Sequence, residues 1–318
     1  MPDIKRQLLE SMLLIRTAEE KIVEVYAKEQ QMRTPTHLSI GQEAVAAGLS
    51  VALSLDDQVF TGHRCHAAYL AKGGDYDGFF AELCGRVTGV SGGRAGSAHL
   101  TDPKAGIFSS PILAAMIPVA VGAALSFKMD GRNNIAVSIF GDAAIEEGTF
   151  AESLNLAVTK ELPVLFLCEN NLYSTHTALP KRQPSSPIYK RVTIPDIKAQ
   201  QIDGNDAVLV YTAISQALVE MRKTHKPIFI ECLTYRVREH VGPLFDWDRG
   251  YRSKDEVEAW MAKCPIKRLS EELISSKVLT QQQYDDLVAS FRRKADDAYQ
   301  KALQTSWPES QTLLNHVY

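Results

Sequence analysis

Ile135-Ala-Val-Ser-Ile-Phe140-Gly141-Asp142-Ala143-Ala144 and Leu162-Pro-Val-Leu-Phe-Leu-Cys168-Glu169-Asn170-Asn171-Leu-Tyr173 decide the fold. Ile135–Phe140 and Val164–Cys168 are short apolar runs, each the length of a buried strand. Between them, Glu146 to Lys160 has helical spacing, with Phe150, Leu154 and Ala157 on one face and Glu146, Glu147 and Lys160 off it. The three segments make a βαβ unit, which favours parallel strands and a right-handed crossover. Polar residues stand just beyond both strands, at the carboxyl ends where parallel sheets place ligands.

Those residues suit a specific chemistry. Asp142 offers a hard carboxylate, Asn171 a neutral amide oxygen, and a backbone carbonyl near Tyr173 a third oxygen. Mg²⁺ takes a few protein oxygens of this kind and completes its shell with water and phosphate. Gly141, Ala143 and Ala144 are small, so backbone N–H groups can approach a phosphate. The plainer reading is a helix-capping Asp and an Asn pair in a turn. Mg²⁺-type donors at both strand ends of one βαβ unit favour the site.

The chain of 318 residues, 45% hydrophobic and 23% charged, has an ordinary globular composition, enough for one large α/β domain with appendages. A net charge of −3 without a basic block argues against nucleic acid. The five Cys lack C-x-x-C spacing and read as reduced intracellular thiols. Ile107–Phe127 is the most apolar stretch, but Pro111 and Pro118 interrupt it, so it reads as a buried helix rather than a membrane span. The opening Met-Pro-Asp-Ile-Lys-Arg leads into an amphipathic helix rather than a signal peptide, so a cytoplasmic location is expected.

In chain order, Ile4, Leu8, Leu9, Met12, Ile15, Ile22, Val25 and Tyr26 predict a helix over 3–31. A loop follows from Arg33 to Gly41, containing His37, and then a helix from Gln42 to Leu53. Asp57–Phe60 reads as a strand ending in the polar cluster His63-Arg64-Cys65-His66. A metal site of His63, Cys65 and His66 is disfavoured by Arg64 between them; Arg64 as an anion binder fits better. Asp75–Cys84 is helical. Residues 88–99 carry four Gly and match no phosphate-loop pattern, leaving a mobile loop and a ligand-lining loop equally open. Pro111–Lys128 predicts a helix and Ser174–Pro187 a long polar loop. Ala199–Ile202 is a strand and Ala207–Lys223 a helix capped from the turn before it. Pro227–Tyr235 is a buried strand ending in a cationic cluster through His240. Asp255 to about Thr305 is a helical tail.

Gly141-Asp142, with Asn171 following 29 residues after the Asp, resembles the thiamine-diphosphate motif that runs from Gly-Asp-Gly to Asn-Asn. Ala143 departs from its third glycine, which implies an ordinary φ there or a slightly more distant phosphate. Other landmarks extend the match: His37-Leu38 before Gly41-Gln42-Glu43-Ala44, Arg64, His66, Gly92-Gly93 and Gly96-Ser97-Ala98-His99. Pro118, Leu162-Pro163, Tyr189-Lys190-Arg191, Asp203-Gly204 and Tyr235-Arg236 follow in order. Over nearly its full length the chain resembles the α subunit of the E1 component of 2-oxo acid and acetoin dehydrogenase complexes.

The resemblance implies a three-layer α/β/α fold with a mostly parallel sheet, in a diphosphate-binding domain over 1–250 and a helical extension over 251–318. It implies Mg²⁺ on Asp142, Asn171 and the Tyr173 carbonyl, and thiamine diphosphate held by Gly141, Ala143, Ala144, Arg64, Arg236 and His240. Ile112 and Leu113 would hold the aminopyrimidine through their main chain. His37 and His240 would act near the substrate. His63 stands where the family usually has Tyr, and its imidazole N–H would replace that donor. Mitochondrial relatives carry a phosphorylatable Ser beside the equivalent of His240; Val241-Gly242-Pro243 follows here, so that regulation is not expected. The Glu that activates the aminopyrimidine lies on a β subunit in this family, so the chain is expected to work in an α₂β₂ assembly and to pass an acyl unit to a lipoyl-bearing partner. Acetoin as substrate, a split transketolase, another carboligase or decarboxylase, and a non-catalytic scaffold remain the competing readings.

Overall fold

The computed structural model describes residues 2–32, 34–184, 187–312 and 314–315; Arg33, where the expected loop begins, and Ser185 and Ser186 of the long polar loop lie outside them. The chain opens with α1 (Pro2–Glu29) and α2 (Glu43–Ala52), then β1 (Gln58–Thr61), α3 (His66–Ala71), α4 (Tyr76–Leu83) and β2 (Ile107–Ser109). Next come α5 (Met116–Met129), β3 (Ala136–Gly141), α6 (Gly148–Thr159) and β4 (Val164–Asn170). A short hairpin, β5 (Tyr173–Ser174) and β6 (Thr177–Ala178), precedes β7 (Lys198–Asp203), α7 (Ala207–Thr224) and β8 (Ile228–Leu233). Three helices close the chain: α8 (Lys254–Met261), α9 (Pro265–Ser275) and α10 (Gln281–Gln304).

Six strands form one parallel sheet in the order β2-β1-β3-β4-β8-β7. Period-two alternation splits their side chains between two layers. Val137, Ile139, Leu165, Leu167 and Ile230 face a core built with α1, α2 and α7. Ala136, Phe140, Phe166, Cys168 and Phe229 face α5 and α6. The result is the expected three-layer α/β/α arrangement. Burying each such Leu, Ile or Phe contributes about 1.5–3 kcal/mol. Gly48 lets α2 cross α7 closely, since a Cβ there would lie 2.6 Å from Val210. α9 and α10 close a further cluster with the start of α1, where Leu8, Leu9 and Met12 meet Ile266, Leu269 and Leu273. The caps are local: Asp206 accepts from the N–H groups of Val208 (3.1 Å) and Leu209 (3.0 Å), and Thr280 with Gln283 forms a reciprocal capping box.

The strand order places the site. From β1 the chain moves outward to β2, whereas β3 pairs on the other side of β1 and leads to β4. The order therefore reverses between β1 and β3, and open parallel sheets bind ligands at the carboxyl ends flanking such a reversal.

Three expectations need correction. The helix predicted over Pro111–Lys128 begins only at Met116, because 107–109 pairs with β1 and Ala114 turns the chain with φ of 60°. His66, read as a strand-end residue, starts a helix. The polar loop after Tyr173 contains the β5–β6 hairpin and a single turn at Leu179–Lys181.

Candidate active site

β1, β3, β4 and β8 all end at the same edge, and one cavity collects the residues just beyond them. Its walls include His63 and Arg64 after β1, Gly141, Asp142, Ala143 and Ala144 after β3, and Glu169, Asn171 and Tyr173 at and beyond the end of β4. His240 comes from beyond β8, and Leu113 from the turn before α5. Ala143 is absent from the positive-φ residues, so its Cβ carries no backbone strain, in line with the expected ordinary φ.

Asp142 is 1% exposed. Burial pushes its carboxyl pKa up, and the Arg182 guanidinium, paired with it, pulls the other way. Arg182 also pairs with Glu146, and its Nε donates to the Thr177 carbonyl at 3.1 Å. Gln183 beside it donates to the Asp142 carbonyl (2.8 Å) and to Glu146 (2.6 Å), and accepts from Arg191 (2.6 Å). The segment after the hairpin is thus latched onto the end of β3. Composition marked this loop as polar and cationic but named no contact; a cation one loop beyond two acidic strand ends was the available signal.

The two asparagines divide their work. Asn170 is structural: its amide donates to Glu231 at 2.7 Å and its side-chain oxygen accepts from Leu172 N–H at 3.1 Å. Asn171 faces the cavity and accepts from Tyr173 N–H at 3.3 Å. The Tyr173 hydroxyl points away, donating to Glu256 of α8 at 2.9 Å. Glu169, which sequence reasoning did not single out, lines the same cavity as Arg64, its pKa pushed up to about 7 by burial against the pull of Arg64. Arg64 donates to the Leu38 carbonyl at 2.6 Å and is lowered to about 9 by burial and by Arg236, with Glu169 and Glu19 opposing.

His37, outside the cavity wall, packs against two residues within it: its ring centroid is 4.6 Å from His63 and 5.1 Å from His240. Burial, then the charge of Arg64, lowers all three imidazoles, to about 2 for His37, 4 for His63 and 3 for His240. They are neutral at physiological pH and offer N–H donors or nitrogen lone pairs. The weighed trio of His63, Cys65 and His66 does not assemble. His66 is fully buried, 2.7 Å from Ser97 Oγ and 3.3 Å from Glu19, and the Cys65 thiol donates to the Ser97 carbonyl at 3.2 Å.

Two expected cofactor residues stand apart from the cavity wall. Arg236 is 1% exposed and is held behind the wall by Asp246, Tyr251 and the carbonyls of Thr175 and Arg238; its Nε has no partner among the described residues. Ile112 is 67% exposed beside Leu113. The glycine-rich stretch does not line the cavity. Buried Glu82 of α4 accepts from the N–H groups of Ser91, Gly93, Ala95 and Gly96 at 2.7–2.9 Å and pins it. A carboxylate wall beside cationic and imidazole donors can hold a cation and an anion side by side.

Comparison with known proteins agrees with this geometry. Residues 10–311 match the family described as dehydrogenase E1 component. Pyruvate dehydrogenase E1 component subunit alpha of Rickettsia bellii is 31% identical over 99% of this chain and 97% of its own length. The testis-specific mitochondrial form from Homo sapiens is 33% identical over 96% of this chain and 78% of its own. The α subunit of acetoin:2,6-dichlorophenolindophenol oxidoreductase of Bacillus subtilis is 33% identical over 98% of this chain and 92% of its own. A parallel sheet with its cavity at the strand-order reversal, and matches of this length, lead to one conclusion: the chain belongs to the dehydrogenase E1 component family, among its α subunits.

Proposed function

We propose that this chain is the α subunit of a thiamine-diphosphate- and Mg²⁺-dependent E1 enzyme that decarboxylates a 2-oxo acid and delivers the acyl unit to a lipoyl-bearing acyltransferase. The observation that carries the reading is the pairing of Asp142 and Asn171 in one cavity with Arg64, at the strand-order reversal. The residues fit both groups. A cationic side chain already pairs with Asp142, so the position accepts positive charge. A Cβ at Gly141 would meet nothing within 4 Å, which leaves room beside the backbone.

Asp142, Asn171 and the Tyr173 carbonyl would hold Mg²⁺ through hard oxygens. Gly141, Ala143 and Ala144 would face the diphosphate with backbone groups, and Arg64 and His63 with side-chain donors; Arg236 would act through its charge from behind. Leu113 in the cavity wall and its neighbour Ile112, both exposed, would hold the aminopyrimidine through their main chain and be covered by a second chain. Bound thiamine diphosphate supplies the carbon nucleophile and the electron sink for loss of the substrate carboxyl. His37 and His240, held neutral, donate N–H bonds to substrate oxygens and exchange a proton there. The family's catalytic Glu would come from a β subunit, in an α₂β₂ assembly in the cytoplasm. Residues 1–250 would form the cofactor-binding domain and 251–318 its helical extension.

The test is isothermal titration of the co-expressed α and β chains with thiamine diphosphate and Mg²⁺. Asp142→Ala should weaken binding by about 100-fold or more, beyond what loss of an outer-shell partner costs. Equal binding by the variant would overturn the metal assignment, and turnover by the α chain alone would overturn the split site. The Bacillus subtilis relative supports a second reading, cleavage of acetoin. Turnover of acetoin but not of 2-oxo acids by the assembled enzyme would select it.

A further inference from the structure

We propose that His37, His63 and His240 form a three-imidazole site for a borderline divalent transition ion, Zn²⁺ being the type, with the fourth position open to the cavity. One ligand atom from each ring lies within 4.8 Å of the other two. The residues come from three separate segments: the loop before α2, the end of β1, and the chain beyond β8. Among the described residues no hydrogen bond to protein engages any of the three rings, and His37 Nδ1 is buried without a partner. A tetrahedral ion with bonds of about 2.0–2.1 Å needs its nitrogens about 3.4 Å apart, which side-chain rotation reaches from this spacing.

Ligand chemistry separates this site from the oxygen-lined wall. Mg²⁺ takes oxygens, whereas imidazole sets favour Zn²⁺, Co²⁺, Ni²⁺ or Cu²⁺. The charges around it cut both ways. Arg64 faces all three rings, and Arg236 and His176 face His240. Glu169 and Glu19 lie close enough to Arg64 to offset its charge, and Asp246 pairs with Arg236. An ion held by three neutral ligands keeps its full charge, so its open position would attract water or an anion from the cavity. The ion would take nitrogens that the proposed function gives to diphosphate and substrate, so the two occupancies exclude one another, and the site is read on the chain without thiamine diphosphate.

The full chain, with any partner that co-purifies and with no thiamine diphosphate or Mg²⁺ added, is titrated with Co²⁺. One equivalent should produce the intense visible ligand-field bands of a tetrahedral ion, and Zn²⁺ should displace it. His63→Tyr, His63→Ala and His240→Ala should each weaken binding by more than about 100-fold, above the cost of losing an outer-shell partner. Circular dichroism confirms that each variant is folded, and His63→Tyr keeps an aromatic ring at that position. Asp142→Ala should leave the bands unchanged, so failure of the Mg²⁺ assignment and failure of this site are read separately. Weak octahedral bands only, bands that survive the His substitutions, or thiolate charge-transfer bands from a cysteine would each overturn the proposal.

Discussion

Two glycine-bearing segments of this molecule look alike in sequence and differ in what surrounds them. In residues 88–99, a Cβ added at Gly89, Gly93 or Gly96 would lie 2.4–2.5 Å from existing atoms, among them the Gly85 backbone and the Glu82 carboxylate. At Gly141 an added Cβ would meet nothing within 4 Å. The first segment is filled by the protein itself, with four of its N–H groups answered by one carboxylate. The second opens on a cavity whose imidazoles make no hydrogen bonds among the described residues. The packed glycines serve the fold, and the glycine beside open space at the end of β3 is the one proposed to face a ligand.

The largest effect is expected at Glu82. Glu82→Ala would leave four N–H groups without their acceptor, costing about 4 kcal/mol or more, at the upper end for one substitution. Chemical denaturation measures this, and a loss below about 1 kcal/mol would erase the contrast between the segments. Gly93→Ala comes next. Its φ of 73° and a 2.5 Å clash with Gly85 predict a cost of about 3 kcal/mol by the same assay.

The unsatisfied side of the comparison predicts acid sensitivity. His37, His63 and His240 titrate at about 2, 4 and 3 in the folded chain, against an ordinary 6.5. Below pH 6.5 the unfolded chain binds more protons than the native one. The stability these rings allow is therefore complete above 6.5 and is lost as pH falls toward the folded values. Each ring contributes a slope of at most about 1.4 kcal/mol per pH unit, and less where solvent screens it. Urea midpoints from about pH 7.5 to 5 should fall less steeply in His63→Gln than in the unaltered chain; superimposable curves would contradict the account. The smallest effect belongs to Gly141→Ala. With φ of −79° and open space, it should change stability by less than about 0.5 kcal/mol while weakening cofactor binding. A large stability loss would mean that Gly141, too, is packed.

The legibility of the sequence divides along the same line. Continuous apolar runs such as Val164–Cys168 announced the central strands because both their faces are buried. The three residues of β2 were hidden in an apolar stretch long enough to pass for a helix, and only Pro111 and the turn at Ala114 separate strand from helix. In the site, Asp142 and Asn171 were readable because each comes just after a recognisable strand. The convergence of His37 on His63 and His240 was not, since no local pattern joins three loops. Glu82 gave no signal at all, because a Glu on a helix is ordinarily a solvated one.

The pairing of Arg182 with Asp142 has a further consequence. The cavity keeps its own electrical balance by lending a side chain to its most buried carboxylate. The cation proposed at Asp142 would enter by exchange, with the Arg182 guanidinium as the ion released. By reciprocity, whatever holds Arg182 and Gln183 in place would weaken uptake of the proposed cation, and its uptake would loosen those two residues by the same factor.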